Sequence, residues 1–327
     1  MSARSPAQVL APLSRVDRVA VRSLREGERR RRTGERRRAG KAEAETYEAL
    51  IARLTEAHHV VFKRIDWTKI EDDGPMAPTV PRDAVSSVAR KKLSDYRPTL
   101  ADSLLGRERE RRRELTEKVV EAAKADAELY GRAKAEADAH NRMLALAGEV
   151  RALNPDAIAG VLKVNGAAKA LKEVVEAFSL RAEGATRLVA QVDLIEFDAL
   201  PDEACKASAA GVVSRTELPA AERAQLQLAN ACSAALRAAV EVLQVAPVET
   251  VEVVARVCRP GGLADTDFDT VLYVKVPAMA LGKANLKKME ASTVVAALSA
   301  RLNWTAARGL APIDLADLGL APRRAAA

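Results

Sequence analysis

The first part of the chain has apolar residues at helical spacing. Residues 14–64 contain no proline, and apolar side chains recur there at alternating intervals of three and four. The residues of this seam are Tyr47, Leu50, Leu54, Ala57 and Val61. Such spacing puts them on one side of an α-helix and is typical of a coiled coil. The pattern predicts one long helix over residues 14–64.

A second long helix is predicted over residues 106–151. One of its faces is apolar and is interrupted by Asp126; it consists of Leu115, Val119, Ala122, Leu129 and Ala133. Between the two helices lies a connector, residues 65–106, in which Pro75, Pro78, Pro81 and Pro98 stop regular helix. A short helix is expected within it, over residues 83–94. We therefore predict an antiparallel, coiled-coil-like helical hairpin, followed by short helices over residues 155–163 and 166–179.

The period of the pattern changes after Gly184. Residues 187–196 alternate as a half-buried strand does, and residues 219–245 have a strong helical stripe. Two runs rich in β-branched residues, 248–258 and 269–277, predict a β-hairpin, and residues 290–302 predict a closing helix. The fold class is therefore α+β, a long helical hairpin followed by a small β-α-β-β-α domain.

Four regions follow from these elements. Residues 1–13 are expected to be a flexible leader, and residues 14–183 the helical hairpin with a basic N-terminal arm. Residues 184–310 are expected to form the α+β domain. Residues 311–327 are expected to be a C-terminal tail.

Several short motifs resemble a family of uncharacterised bacterial proteins. They are Ile65-Asp66-Trp67, the proline-spaced connector, Tyr96-Arg97-Pro98, Ala231-Cys232-Ser233 and Leu236-Arg237 ahead of Pro247-Val248. The resemblance covers about residues 45–310 and implies a helical N-terminal half with a small α+β C-terminal half. It implies no activity.

Composition narrows the class of protein. Hydrophobic residues make up 48% of the 327 residues but aromatic ones only 3%, which favours Ala-rich helices. No uncharged apolar run approaches the roughly 18–20 residues of a membrane span. The three cysteines, Cys205, Cys232 and Cys258, are far apart, which indicates reduced thiols and neither disulfides nor a zinc module. We expect a cytoplasmic protein.

The positive charge is concentrated in one segment. The chain has a net charge of +7, but residues 15–41 contain twelve basic and four acidic residues, so the rest has a net charge of −1. Seven arginines are clustered there: Arg29, Arg30, Arg31, Arg32, Arg36, Arg37 and Arg38. Such a segment suits a polyanion, but it contains no aromatic residue for stacking on bases. The alternative is a solvated helix face, or one neutralised by a partner's acids.

A metal-dependent nuclease is a second hypothesis. The predicted element order is similar to that of restriction-type nucleases, whose metal-binding acids and lysine lie on adjacent strands. Asp269 and Lys275 would be two of those groups, and Glu241 or Glu252 a third. Tyr273 is a departure, since that pattern requires an acid two residues before the lysine.

Other chemistries have weaker signals. Asp265, Asp267 and Asp269 begin like a calcium loop, but Thr270 replaces the required glycine, which favours an acidic turn. His58 and His59 are adjacent and so would point about 100° apart on a helix, which does not suit one metal ion. The sequence contains no nucleotide-binding loop or nucleophile elbow. We expect no cofactor.

The sequence thus predicts a non-enzymatic interaction protein. Its helical part is expected to self-associate or to dock on a helical partner, and its arginines to contact nucleic-acid backbone without sequence preference. The alternatives are the nuclease and a structural subunit whose basic arm meets an acidic protein surface.

Overall fold

The computed structural model describes residues 15–104, 106–184, 186–259, 267–318 and 320, with the side chains of residues 15–30, 101 and 103 excepted. The predicted leader and most residues beyond 318 lie outside this part of the chain. Seven helices occupy the N-terminal half of the described chain: α1 (Arg15–Thr55), α2 (Trp67–Asp73), α3 (Ala84–Ser94), α4 (Leu100–Leu104), α5 (Glu108–Arg151), α6 (Pro155–Val164) and α7 (Ala167–Lys172). The two long helices and the short helix of the connector are confirmed, but α1 ends at Thr55, so Ala57 and Val61 of the predicted seam lie beyond it.

The C-terminal half is built on a mixed sheet. Its elements are β1 (Ala177–Glu183), β2 (Arg187–Asp193), β3 (Glu203–Ala207), β4 (Val213–Glu217), α8 (Ala220–Val245), β5 (Thr250–Cys258), β6 (Phe268–Pro277), α9 (Ala278–Lys283), α10 (Ala291–Ala296), β7 (Ser299–Thr305) and β8 (Gly309–Ala311). Six strands form one sheet in the order β1-β2-β5-β6-β7-β8, and β3 pairs with β4 separately. Among these strands, only β2 and β5 pair in parallel. A parallel pair needs a long crossover connection, and the segment from β2 to β5, which includes α8, provides it. The α+β class is confirmed.

The main core lies between α8 and one face of this sheet. Leu236 and Leu243 of α8 are fully buried against Val253 of β5 and Leu272 of β6. Ala, Val and Leu dominate this helix, and its buried residues lie on most of its circumference.

The opposite face of the sheet is covered by the end of the chain. Val189, Val254 and Tyr273 pack there against Leu315 and Leu320, which are 3% and 7% exposed. Part of the expected tail therefore belongs to the fold. The sheet also begins before the expected boundary at residue 184, since β1 pairs along its length with β2.

Two predicted helices contain strands. Residues 177–179 of the predicted helix 166–179 belong to β1, and the end of the predicted helix 290–302 is β7, which pairs with β6. Both strands are short and mix apolar with polar residues, so their sequences have only a weak preference for strand over helix. Pairing with a neighbouring strand decides their conformation.

The predicted pairing of the two long helices is corrected by their contacts. α1 packs against α8, β3 and β4, whereas α5 packs against α2, α3 and α6. Leu54, in the predicted coiled-coil seam, is buried in a cluster with Leu200 and Leu226. The apolar face of each long helix thus packs in part against other elements of the chain, although Leu129 of α5 is 43% exposed, and the connector lies along α5.

Within the described part of the chain, no helix combines the length and the apolar character that crossing a membrane would require.

Candidate functional site

The basic helix α1 is anchored to the body at a close contact between two glycines. A Cβ on Gly40 would lie 2.1 Å from the carbonyl oxygen of Gly211, in the turn between β3 and β4. Gly211 has φ +77°, and a Cβ on it would lie 2.3 Å from Cα of Arg37. One turn further along α1, Glu43 forms an ion pair with Arg215 of β4 at 2.6 Å. Gly40, which looks unfavourable in a helix, is required by this contact.

The arginine cluster lies at and before this contact. All seven arginines belong to α1, and the described side chains of Arg31, Arg32, Arg36, Arg37 and Arg38 are exposed. The side chains of Arg29 and Arg30 lie outside the described residues. Arg31 pairs with Glu35 at 3.6 Å, and both side chains are largely exposed. Among the described side chains, the other four arginines are in no ion pair.

A second arginine-rich segment, at the start of α5, provides a contrast. Arg111, Arg112 and Arg113 pair with Glu114, Glu108 and Glu117 at 2.7, 4.0 and 3.1 Å. These pairs are at i,i+3 or i,i+4 spacing on one helix, so glutamates of α5 partner these three arginines, whereas Arg109 is in no ion pair among the described residues. The hydrogen bond from Arg111 to Glu114 raises the pKa of this arginine further. Arg32, Arg36, Arg37 and Arg38 of α1 have no such acidic partner among the described side chains.

The position of α1 is also fixed by a polar stripe on α8 that sequence reasoning missed. The stripe consists of residues at spacings of three and four: Asn230, Ser233, Arg237, Glu241 and Gln244. Three of them bind main-chain carbonyls at the end of α1 and just beyond it, those of Leu54, Ala57 and Val61. A search for polar residues recurring at helical spacing within an otherwise apolar helix could have found this stripe.

His58 joins the same stripe. Its Nε2 lies 2.9 Å from the carbonyl oxygen of Met289 and its Nδ1 lies 3.1 Å from Oγ of Ser233. Because a carbonyl can only accept, Nε2 carries the proton and Nδ1 accepts from the Ser233 hydroxyl. Burial lowers the pKa of His58, despite the hydrogen bond to Met289, which raises it. His58 is therefore a neutral structural group.

The Ile65-Asp66-Trp67 motif closes the C-terminal end of α8. Trp67 Nε1 donates to the carbonyl oxygen of Val245 at 2.7 Å, and the amide of Ile65 donates to that of Gln244 at 2.8 Å. Arg64 donates to the carbonyl of Leu243 at 3.3 Å. These carbonyls lack partners within their own helix, so the motif supplies a cap from a distant part of the sequence.

The nuclease candidates do not form one site, although two of them are cross-strand neighbours. Glu252 lies directly opposite Lys275 in the sheet, but its carboxylate is held by Arg187 at 3.0 and 2.8 Å. Asp269 is six residues from Lys275 along β6, a separation of about 20 Å, and pairs with Arg259 at 2.8 Å.

Glu241, the other acid considered for the nuclease, forms an ion pair with Arg237 at 2.6 Å on α8. Of the acidic turn, Asp265 lies outside the described residues, and the carbonyl of Asp267 accepts from the amide of Arg259. Within the described residues, no group of three metal-ligating side chains could hold a metal ion. The three cysteines are free and buried, and burial raises the pKa of Cys232 to about 12.

Comparison with protein-family models, curated proteins and solved structures found no match for this chain. The family resemblance over residues 45–310 stays a prediction.

Proposed function

We propose that this protein is a non-enzymatic, cytoplasmic interaction protein that contacts a polyanion through the arginines of α1. The observation that carries the proposal is the contrast between two arginine-rich helices of one chain. Arg111, Arg112 and Arg113 of α5 are paired with glutamates of their own helix. Four exposed arginines of α1 have no acidic partner among the described side chains: Arg32, Arg36, Arg37 and Arg38.

Electrostatics explains why these arginines favour a polyanion. Like charges at i,i+4 on a helix repel one another, and a bound row of phosphates removes that repulsion. Each neutralised phosphate also releases condensed counterions, so the affinity depends on salt. Contacts to phosphate oxygens position a protein without reading sequence, which suits a segment without aromatic residues.

The test compares two triple variants that remove the same charge from the two helices. Arg32, Arg36 and Arg38 are changed to glutamine in one, and Arg111, Arg112 and Arg113 in the other. Binding of fluorescently labelled duplex DNA and of single-stranded RNA is measured by anisotropy between about 50 and 200 mM salt. We expect the α1 variant to reduce the slope of log affinity against log salt by about 2.7 for duplex DNA, at about 0.9 per lost contact. The α5 variant should leave the slope close to that of the unchanged protein.

Equal losses in both variants, or no binding to either probe by the unchanged protein, would contradict the proposal. In the latter case an acidic protein surface becomes the expected partner of α1.

Self-association is the second part of the proposed function. The seams predicted to serve it are only partly covered within the chain, since Val61 and Leu129 are exposed, and other apolar side chains are exposed on the helical part. Leu100 and Leu104, one turn apart on α4, are each 85% exposed, and Val85 and Val88 of α3 are 44% and 54% exposed. Light scattering of the Leu100→Ser/Leu104→Ser variant should show a smaller mass than that of the unchanged protein. A monomeric mass for the unchanged protein would contradict this part.

A further inference from the structure

A cavity lies where three parts of the C-terminal half meet: the segment between β2 and β3, the first turns of α8 and the turn between β7 and β8. Its volume of about 340 Å³ is at the small end of the range for ligand-binding pockets. Two hydrogen bonds join these parts. Trp304 Nε1 donates to the carbonyl oxygen of Ala224 at 2.9 Å, and the amide of Leu218 donates to that of Asp202 at 2.7 Å. The cavity is therefore a built feature of the fold.

Three of the side chains that line the cavity are N–H donors. Arg223 and Gln227 are one turn apart on α8 and so share a face of the helix, and Arg308 is in the turn between β7 and β8. Oε1 of Gln227 accepts from the amide of Leu310 at 3.4 Å, and a Cβ on Gly309 would lie 2.0 Å from this oxygen. Nε2 is therefore the end of the Gln227 amide that can donate to a ligand.

Two other lining side chains are carboxylates, those of Asp198 and Asp202 in the segment between β2 and β3. Among the described residues, neither of these carboxylates and neither Arg223 nor Arg308 has a side-chain hydrogen bond or an ion pair. Two positive and two negative side chains thus line one cavity without contacting each other. Each of them can still form a hydrogen bond with a ligand.

A ligand with charge of only one sign would suit half of these groups. An anion bound by the two arginines would bring its charge close to two carboxylates, and a cation bound by the carboxylates would lie close to two guanidinium groups. A molecule with one charge of each sign avoids both repulsions. A guanidinium group also forms two parallel hydrogen bonds with a carboxylate, and a carboxylate accepts strong hydrogen bonds from an ammonium group.

The remaining lining is partly apolar. Phe197, Leu200 and Leu226 contribute to it, and the last two of these are 8% and 9% exposed. Small-molecule sites generally combine such an apolar lining with a few polar groups that fix the orientation of the ligand. The ligand is therefore expected to have an apolar part beside its two charges.

We infer that this cavity is a binding site for a free α-amino acid with an apolar side chain. Arg223, Arg308 and Nε2 of Gln227 bind the carboxylate of the amino acid. Asp198 and Asp202 bind its ammonium group, and its side chain packs on the apolar lining. The site uses none of the arginines of α1, so it is independent of the proposed polyanion function.

The first experiment tests the ligand on the unchanged full chain. Isothermal titration calorimetry is performed with valine, leucine, isoleucine, methionine and phenylalanine. It is repeated with two analogues of leucine: isocaproate, which lacks the ammonium group, and isoamylamine, which lacks the carboxylate. At least one of the amino acids should bind. Each analogue should bind at least about tenfold more weakly than leucine, because it leaves charged groups of the cavity without a partner.

The second experiment tests the site with charge-matched variants. The cavity variants and their controls on α5 are Arg223→Gln/Arg308→Gln with Arg109→Gln/Arg132→Gln, and Asp198→Asn/Asp202→Asn with Glu136→Gln/Asp138→Asn. Each cavity variant should weaken binding of the tightest amino acid by at least about tenfold, and the controls should leave it unchanged. All the substituted side chains except none are exposed, so circular dichroism should show the same helix content in every variant.

Four results would overturn the inference. The first is that no apolar amino acid binds to the unchanged protein. The second is that isocaproate or isoamylamine binds as tightly as leucine, and the third is a loss confined to one of the two cavity variants. Both would show a site for a single charge. The fourth is binding that neither cavity variant weakens, which would place the amino acid elsewhere on the protein.

Discussion

His58 and Ser233 are 175 residues apart in sequence and meet where the end of α1 lies on α8. The imidazole is 1% exposed and neutral, and its two nitrogens are both hydrogen-bonded, one to Met289 and one to Ser233.

Asp126, which interrupts the apolar face of α5, likewise joins distant parts of the chain. Its carboxylate accepts from the amides of Val85 and Ser86 at 2.8 and 2.7 Å and so caps the start of α3. Burial raises the pKa of Asp126, but the hydrogen bonds from Ser86 and Val85 lower it by more than burial raises it. The pKa of Asp126 is therefore below its ordinary value.

His58 should make stability depend on pH. Because its pKa in the folded state is lowered, the unfolded chain binds the proton more tightly. The stabilising contribution is present above the ordinary histidine value of about 6.5 and is lost as the pH falls below it, by at most about 1.4 kcal/mol per pH unit. Urea unfolding between pH 7.5 and 5.5, a range of about two units around that value, measures this loss. His58→Gln should be less stable at pH 7.5 but should lose less on acidification. Equal losses in the two proteins would contradict this assignment.

At the scale of elements, α1 is held by small residues and a polar stripe, not by a second long helix. Gly40 and Gly211 allow the helix and the β3–β4 turn to meet at their backbones. Glu43 and Arg215 pair beside them, and the stripe on α8 holds the segment after α1. The register of α1 on the body, and thus the place where the arginines begin to project, is set by these contacts.

A pair of glycine substitutions tests this contact. Gly40→Ala places a Cβ 2.1 Å from the backbone oxygen of Gly211 and should destabilise the protein by about 1–3 kcal/mol, as overpacking does. Gly34→Ala, six residues earlier on α1, meets nothing within 4 Å and should stabilise the helix by up to about 1 kcal/mol. Chemical unfolding of the two variants gives both values. If Gly40→Ala were as stable as Gly34→Ala, the close contact would not exist in solution.

At the scale of the whole molecule, α8 is the element on which the others converge. Its apolar side packs on β2, β5 and β6, and α1, α6 and α10 pack around it. Each end of α8 also accepts a hydrogen bond from a tryptophan. Trp304 Nε1 donates to the carbonyl oxygen of Ala224 at 2.9 Å, and Trp67 Nε1 donates to that of Val245 at 2.7 Å.

These two hydrogen bonds should contribute differently to the free energy of unfolding. The carbonyl of Ala224 lies in the first turns of α8, where the helix supplies its own donor, whereas that of Val245 lies at the end and depends on Trp67. Trp67→Phe should therefore cost about 1–3 kcal/mol, the penalty for an unsatisfied buried acceptor, and Trp304→Phe clearly less. In each variant the remaining tryptophan reports unfolding by fluorescence. A larger loss in Trp304→Phe would show that the cap at Val245 is not what stabilises this end.

The sequence by itself determined the elements whose pattern is strong and local. The two long helices, α8 and the β5–β6 hairpin follow from spacing, proline positions and β-branched runs, and the concentration of charge in residues 15–41 can be counted directly. Periodicity shows which face of an element is apolar, because that depends on residues a few positions apart.

Only the tertiary structure decided what covers each face. It showed that α1 packs on α8 and that the connector packs on α5. It also showed that Asp126, His58 and Trp67 form hydrogen bonds with groups far away in sequence. It also separated Asp269 from Lys275 along β6 and showed that Arg111, Arg112 and Arg113 of α5 have glutamate partners. These outcomes depend on contacts between residues far apart in sequence. Local periodicity contains no information about which partners those are, because many surfaces can bury the same stripe.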